Sequence, residues 1–279
     1  MFGFLGPNAA GKTTTIRMLT GVIKPNEGTA RILGYDILSE GLKSRQLMGI
    51  VPEMANAYVD LSAWNNIMLT GELYGISRKD RQARGEQLLK KVGLYQRKDH
   101  PVKAFSRGMK QKLLLCMALI NEPRILFLDE PTSGLDVESQ RLIRDMIREL
   151  NAIGTTVFLT THNMDEANQL CDNIAIINHG KVAAIDSPEQ LKSRSSGLQS
   201  IEVSFNKKVD SEELRKIRGV NEVKKLGDKW RLYVENPNEV IDKLVECAKA
   251  GKTKIISLNT LAPTLEDVFL RLTQEKGEN

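Results

Sequence analysis

A glycine-rich loop near the start of the chain limits the folds that the sequence can adopt. Residues 6–13 read GPNAAGKT and fit the pattern G-x-x-x-x-G-K-[ST]. An apolar run over 1–5 precedes the loop, and a helix is predicted after it over 12–20. Glycine lets backbone N–H groups curl around a phosphate, and the N-terminus of the following helix carries partial positive charge. The loop therefore predicts a strand, a phosphate cradle and a helix in succession.

Lys12 and Thr13 supply the side chains that such a cradle needs. Lys12 can reach the outer phosphates of a nucleotide, and the hydroxyl of Thr13 can bind Mg²⁺. Taken alone, the motif is also consistent with a glycine-rich turn that binds no ligand. We assign ATP binding to the residues of the loop and the first helical turn, which are Gly6, Pro7, Asn8, Ala9, Ala10, Gly11, Lys12, Thr13 and Thr14.

Two acids follow a second apolar run. Residues 124–130 read RILFLDE, which is typical of a buried parallel strand with carboxylates at its C-terminal end. Ligands of α/β proteins bind at that edge of the sheet. Asp129 is therefore predicted to fix Mg²⁺ together with Thr13, and Glu130 to orient or deprotonate an attacking water. Capping of the following turn is the alternative role for either acid.

Three further segments lie in a defined order around this strand. FSRGMKQ at 105–111 opens an apolar helix, SGLD at 133–136 follows the strand, and TTH at 160–162 ends the next strand. With these segments the chain resembles the ATP-binding subunits of ABC transporters from residue 1 to about residue 188. The segments are similar to the signature, D-loop and switch histidine of that family, and the loop and acidic strand to its Walker A and Walker B motifs. The variant signature and the C-terminal tail are most similar to subunits of drug, antibiotic or polysaccharide exporters.

The resemblance implies that hydrolysis needs two copies of the chain. In a head-to-tail homodimer, each ATP is sandwiched between the loop of one copy and the signature helix of the other. His162 would contact the γ-phosphate. The contacts across the interface would come from Ser106, Arg107, Gly108, Gln111 and Asp136. Read alone, Ser106 is equally consistent with an N-cap, and His162 with an ordinary loop histidine.

Glu53 departs from the family pattern. It follows the apolar residues 49–52, at a position where the family usually carries glutamine. We predict that Glu53 belongs to the catalytic set with Glu130 and His162, and that it ligates Mg²⁺ with Thr13 and Asp129. An extra acid should either attract the metal more strongly or slow the reaction through repulsion.

The region before the loop also departs from the pattern. Similar subunits carry about thirty residues there, including an aromatic residue whose stacking on a base is worth about 1–3 kcal/mol. Phe2 and Phe4 are predicted to belong to the buried strand, so we find no substitute for that aromatic residue. The ATP-binding domain is therefore expected to be incomplete at its N-terminus, with weak ATP binding or an uncovered sheet edge.

Composition excludes several classes of protein. The 279 residues are 41% hydrophobic and 27% charged, which suits a globular protein rather than a disordered one. The net charge of +5 is diffuse, so no nucleic-acid partner is predicted.

The sequence contains neither a metal-binding cysteine pattern nor a membrane-spanning run. The three cysteines lack the paired spacing of a metal site; they are Cys116, Cys171 and Cys247. No apolar run approaches the roughly 20 residues that cross a bilayer. The resemblance implies a peripheral position on the cytoplasmic face of the cell membrane, bound to an integral membrane subunit.

Two domains are predicted. Residues 1–192 form an α/β P-loop domain of the ABC type with a helical subdomain over about 60–122, and 193–198 form a linker. Within this domain the sequence predicts a strand over 29–33, a helical stretch over 62–93 and an apolar helix over 112–121. Residues 199–279 alternate as β-α-β-β-α-β, which predicts a small ferredoxin-like α+β domain. A terminal helix after Pro263 completes the chain, and its role as a regulator or a dimer brace is left open.

The leading hypothesis is an ATP-hydrolysing subunit that uses Mg²⁺ and powers export of a drug-like, lipid or polysaccharide substrate through a separate membrane protein. The main alternative is a degenerate ATP-binding regulatory module without efficient hydrolysis, which Glu53 favours. A soluble ABC ATPase of translation or DNA repair would need a second set of motifs or long coiled coils. A P-loop kinase would not need the signature helix or His162.

Overall fold

The computed structural model describes residues 1–54, 57–194 and 199–274. Contacts divide the chain into two compact units, Met1–Ile185 and Asp186–Asn279. Ser193 and Arg194, the first two residues of the predicted linker 193–198, end a helix that begins at Pro188. Residues 195–198 lie outside the described residues.

The strands and helices of both units are as follows. The strands are β1 (Phe2–Leu5), β2 (Arg31–Ile32), β3 (Tyr35–Asp36), β4 (Met48–Val51), β5 (Ile125–Asp129), β6 (Thr156–Thr161), β7 (Asn173–Asn178), β8 (Lys181–Asp186), β9 (Gln199–Phe205), β10 (Val220–Leu226), β11 (Lys229–Val234) and β12 (Ile255–Leu261). The α-helices are α1 (Lys12–Leu19), α2 (Gly41–Gln46), α3 (Ala63–Leu73), α4 (Arg78–Lys91), α5 (Arg107–Leu119), α6 (Val137–Ala152), α7 (Met164–Leu170), α8 (Pro188–Arg194), α9 (Ser211–Arg215), α10 (Pro237–Ala250) and α11 (Leu265–Gln274).

A six-stranded sheet forms the centre of the first unit. Its order is β4-β5-β6-β1-β7-β8, and the pairs from β4 to β7 are parallel. Strands β1, β4, β5, β6 and β7 are largely buried, as strands of a sheet between helices must be, whereas the edge strand β8 is partly exposed. Because parallel strands end at one edge of the sheet, Leu5, Asp129 and Thr161 meet there, and the segments that follow them lie side by side. The predicted α/β fold is confirmed.

The helical subdomain consists of α3, α4 and α5. The sequence predicted one helical stretch over 62–93, whereas the structure breaks it after Tyr74, because Gly75 adopts φ 74° and α4 starts again with Ser77 as its N-cap. Helix α5 begins at Arg107, five residues before the predicted start at residue 112. Ser106 caps it by accepting a 3.2 Å hydrogen bond from the N–H of Met109.

The predicted strand over 29–33 is shorter than expected. Only Arg31–Ile32 pair, with Tyr35–Asp36. Leu33 and Gly34 both take positive φ, 50° and 90°, so the chain turns back after two residues.

The second unit contains a four-stranded antiparallel sheet of order β10-β11-β9-β12. Its elements follow the chain as β9, α9, β10, β11, α10 and β12, which is the β-α-β-β-α-β order of the ferredoxin-like fold. Apolar side chains such as Ile201, Leu232 and Leu244 form its core. The predicted antiparallel α+β domain is therefore confirmed.

Helix α11 is attached to this sheet through one buried pair. The hydroxyl of Tyr233 donates to Asp267 Oδ1 at 3.2 Å, and the same carboxylate accepts from the N–H and hydroxyl of Thr264 at the helix start. Within the described part of the chain, no helix is both long and apolar enough to cross a membrane.

Candidate nucleotide-binding site

The loop between β1 and α1 contains two residues in the left-handed backbone conformation. Ala9 and Gly11 adopt φ 64° and 107°, the left-handed region in which residues with a Cβ are disfavoured. A Cβ on Gly6 would lie 2.5 Å from the carbonyl oxygen of Ile177, so only glycine fits between the loop and β7. The turn after β7 is hydrogen-bonded to the loop, since the N–H of Gly180 donates to the carbonyl of Ala10 at 3.0 Å.

The N-terminus of α1 points into this loop without a side-chain cap. Gly11 is the N-cap residue and has no side chain to accept from the first-turn N–H groups, and among the described residues no other side chain caps them. Such N–H groups, together with the helix dipole, form a natural site for an anion. The local geometry therefore fits the phosphates of a nucleotide.

Lys12 lies beneath the loop. Only 7% of it is exposed, and its ammonium donates to the carbonyls of Gly6 at 2.7 Å and Pro7 at 3.1 Å. Its Nζ also lies 3.1 Å from Oε1 of Glu130, which is itself only 8% exposed. A buried ammonium requires such partners, because an unpaired charge is costly away from water. The cradle and the acidic strand therefore converge on one buried ion pair.

Glu130 stands between two cationic or proton-donating groups. Its Oε2 lies 2.8 Å from Nδ1 of His162, whose side chain is half exposed. The Lys12 ammonium approaches Oε1 without the direction of a hydrogen bond, so this buried oxygen has no hydrogen-bond partner among the described residues. Glu130 also takes φ 51°, which turns its side chain out of the strand direction. A buried oxygen without a donor is suited to accept from a water or ligand hydroxyl.

Asp129 is fixed by the neighbouring strand. It is 3% exposed, and its Oδ1 accepts from the hydroxyl of Thr160 at 2.5 Å. Thr160 and Asp129 are direct partners in the register of β5 and β6.

One cavity of about 250 Å³ joins these parts of the site. It is lined by Pro7, Asn8, Ala9, Gly11, Lys12, Thr13, Thr14, Glu53 and Glu130. Glu53, which is exposed and follows β4, lines this cavity, whereas Asp129 and His162 are not among its described lining residues. Among the described residues, no group of three or more His, Cys, Asp or Glu side chains forms a metal cage. This donor set, one hydroxyl and separate carboxylates, fits Mg²⁺ that shares its ligands with phosphates and water.

Four of the five predicted trans residues, Ser106, Arg107, Gly108 and Asp136, lie in a separate group with Gly134, which was not predicted as a contact. We call these five residues the signature cluster. None of them lines the cradle cavity. The guanidinium of Arg107 lies directly against the Cα of Gly134, and a Cβ on Gly108 would lie 3.2 Å from Oδ2 of Asp136. Ser106, Arg107 and Asp136 are exposed, and Gln111 is half-buried on the same helix.

Asp136 caps α6 within this cluster. Its carboxylate accepts from the N–H and the hydroxyl of Ser139, both at 2.8 Å. The backbone hydrogen bond from Ser139, followed by that from its hydroxyl, lowers the pKa of Asp136. The side chain is therefore an ordered anion on an exposed surface.

The comparison with known proteins agrees with this geometry. A family model described as ABC transporter matches residues 1–133, and a model described as ATP-binding protein DrrA1-3-like, C-terminal domain, matches residues 187–273. The linearmycin resistance ATP-binding protein LnrL of Bacillus subtilis is 36% identical over 276 residues, which cover 98% of this chain and 89% of the relative. The chain belongs to the ABC transporter ATP-binding family.

Two further relatives of this ABC protein bear on function. The Nod factor export ATP-binding protein I of Ralstonia nicotianae is 35% identical over 98% of this chain and 84% of its own. A solved dimeric ATP-binding cassette in a post-hydrolysis state, bound to ADP and Pi, superposes with a TM-score of 0.62 at 25% identity, covering 67% of this chain and 84% of that one. The exporter-type resemblance predicted from the sequence is confirmed.

Sequence reasoning missed several contacts of this ABC site. It placed His162 on a phosphate and did not foresee its hydrogen bond to Glu130, nor the bonds of Thr160 to Asp129 and of Thr132 to Glu166. Each of these joins residues more than 30 positions apart. The available signal was that both segments follow strands that are neighbours in an α/β sheet, which makes hydroxyls and acids at the two strand ends candidate partners.

Proposed function

We propose that this chain is an ATP-hydrolysing subunit that powers export of a drug-like, lipid or polysaccharide substrate through a separate membrane protein. The observation that carries the hydrolytic part is the buried Glu130, which lies between Lys12 and His162 at the phosphate cradle. The names of two relatives, a linearmycin resistance protein and a Nod factor export protein, support export as the direction of transport.

The cradle residues divide the work of phosphoryl transfer. Lys12 and the uncapped N–H groups of α1 neutralise and position the phosphates. Glu130 accepts a hydrogen bond from the attacking water through Oε1, which has no hydrogen-bond donor among the described residues, and so orients the water and takes up its proton. His162 holds the other carboxylate oxygen and so fixes the direction of Oε1. The second ring nitrogen of His162, Nε2, is proposed to contact the γ-phosphate.

Three side chains are proposed to hold Mg²⁺, namely Thr13, Asp129 and Glu53. The metal, when bound, supplies charge that stabilises the phosphate oxygens. Asp129 accepts from Thr160 through Oδ1, which leaves Oδ2 as the oxygen for the metal. Glu53 adds an exposed acid that lines the cradle cavity.

A homodimer is proposed to complete the site. The signature cluster does not line the cradle cavity of its own chain, and its polar groups lie on an exposed surface. A second copy in head-to-tail arrangement would bring that cluster to the phosphates. The solved cassette bound to ADP and Pi is dimeric, which supports a dimer as the working form.

The surface next to Glu53 is proposed to receive the membrane subunit. Met54, Tyr58 and Val59 are exposed by 80%, 60% and 48% and lie along the segment that leads into α3. Asn66 fixes this segment by hydrogen bonds to the N–H and carbonyl of Tyr58. Trp64 is half-buried and packs near Gly85 and Lys98, so core packing accounts for it. Docking here would place the chain at the cytoplasmic face of the membrane.

Hydrolysis is tested by Glu130→Gln, with the exposed Glu149→Gln as a matched control. The wild type and the control should hydrolyse Mg-ATP, whereas Glu130→Gln should lose between about 10² and 10⁴ in turnover while still binding ATP. If the wild type binds ATP but turns it over no faster than Glu130→Gln, the chain is the regulatory module without efficient hydrolysis.

A further inference from the structure

Three hydrogen-bonded pairs join the C-terminal end of β5 and the residues after it to the C-terminal end of β6 and the residues after it. They are Asp129 with Thr160 at 2.5 Å, Glu130 with His162 at 2.8 Å, and Thr132 with Glu166 at 2.6 Å. The first two pairs contain groups assigned to the metal and the water. The third lies behind them, since Thr132 and Glu166 are only 7% and 2% exposed. Its position is too deep for contact with nucleotide.

Glu166 is unusual because it is an acid buried in the first turn of a helix. Burial raises its pKa, and hydrogen bonds from the hydroxyls of Thr132 and Thr161 oppose that shift. The N–H of Glu166 donates to the side chain of Asn163, which caps α7 directly after His162. An acid that is buried at a cost in solvation is held by specific partners. Here those partners belong to the two strand ends that carry Glu130 and His162.

Thr132 in turn begins the segment that leads to the signature cluster. Its carbonyl accepts from the N–H of Leu135 at 3.3 Å and from the side chain of Gln140 at 3.2 Å. One residue after Leu135, Asp136 caps α6 and lies against Gly108. Thr132 lies two residues after Glu130 and four residues before Asp136. A substitution of Thr132 can therefore displace both of these residues.

We propose that Thr132 and Glu166 form a positioning pair that keeps the water-orienting Glu130 and His162 in register with the segment that faces the partner copy. This inference rests on the proposed ATPase function. The pair touches neither nucleotide nor water. Its loss should lower kcat without weakening ATP binding, because Lys12 and the loop are left unchanged.

The test replaces Thr132 by Val, which has the same shape and lacks the hydroxyl, and by Ser, which keeps it. The control is Thr20→Val, another buried hydroxyl of the first unit, bonded at 2.8 Å to the carbonyl of Ile16. Thr132→Val should lower kcat by between about tenfold and 100-fold, the effect of a small misplacement of reacting groups, with KM for ATP changed less than about twofold. Thr132→Ser should recover most of kcat.

A second measurement keeps the inference separate from the proposed function. Amide hydrogen exchange of the full chain should show faster exchange in both 130–136 and 162–167 for Thr132→Val, and neither change for Thr132→Ser or Thr20→Val. A wild type that does not hydrolyse ATP contradicts the proposed function. In that case the hydrogen-exchange rates alone decide whether Thr132 and Glu166 hold the two segments in place. Unchanged kcat and exchange in Thr132→Val, or an equal loss of kcat in Thr20→Val, would overturn the positioning role.

Discussion

The cradle and the signature cluster hold their polar groups in opposite ways. In the cradle, Lys12 and Glu130 are less than 10% exposed and neutralise each other. In the signature cluster, Ser106 and Asp136 are exposed, and each accepts from the backbone of its own helix start. The first arrangement concentrates charge in a region of low dielectric, and the second presents ordered groups on a surface. The difference indicates that the cradle is organised within one chain, whereas the signature cluster is organised for a partner.

Removal of the cradle charge should have the largest effect. Lys12→Ala takes away the phosphate-binding ammonium and leaves Glu130 buried with His162 as its only ionic partner among the described residues. We expect kcat/KM for ATP to fall by at least about 10³, as the loss of a preorganised charge at phosphates does. Steady-state hydrolysis measures this, with the exposed Lys24→Ala as control. Comparable activity in the two variants would show that the buried pair is only structural.

A bulky residue at Ser106 should have the next largest effect. Ser106→Trp should lower turnover about 10²-fold or more while binding of ATP to the monomer is unchanged, because the cradle is intact. Ser77→Trp is the matched control, since Ser77 also caps a helix and lies outside the signature cluster. Both should lose about 1 kcal/mol of stability with the cap. Equal turnover in the two variants would show that Ser106 acts only as a helix cap, as Ser77 does.

The third prediction tests whether Glu53 belongs to the metal site of the cradle. If this acid ligates Mg²⁺, Glu53→Gln should raise the Mg²⁺ concentration for half-maximal turnover several-fold, since one charged oxygen ligand becomes neutral. Titration of ATPase activity with Mg²⁺ measures this, and Glu40→Gln, on the far side of β4 in sequence, is the control. An unchanged Mg²⁺ curve and rate would exclude Glu53 from the metal site.

The smallest expected effect concerns the pH dependence of stability. Because burial raises the pKa of Glu166 above the ordinary value of 4.5, the folded protein binds the proton more tightly than the unfolded chain does. This contribution is fully present below the unfolded pKa and is lost as pH rises through the folded one. The free energy of unfolding of the wild type, measured in urea, should therefore fall relative to Glu166→Gln as pH rises from 4 toward neutrality. A constant difference would contradict the raised pKa.

The sequence predicted the parts of the site that depend on local patterns. The loop over 6–13, the acids after β5 and the N-cap at Ser106 all follow from residues within about ten positions of each other, where propensity and motif carry the information. The short β2 was not predicted, because the positive φ of Leu33 and Gly34 has no simple signal in an apolar run. Nor was the pairing of Glu130 with His162, which only the strand order brings together.

The central claim is that ATP held by the cradle of one copy is completed by the signature cluster of another. The most direct test measures the mass in solution of Glu130→Gln, which we expect to bind ATP and to hydrolyse it slowly, with and without saturating Mg-ATP. We predict a monomer without nucleotide, a dimer with it, and a monomer under both conditions when Ser106→Trp is added. A monomer at saturating ATP, or a dimer that forms equally well with the Ser106 change, would contradict the account.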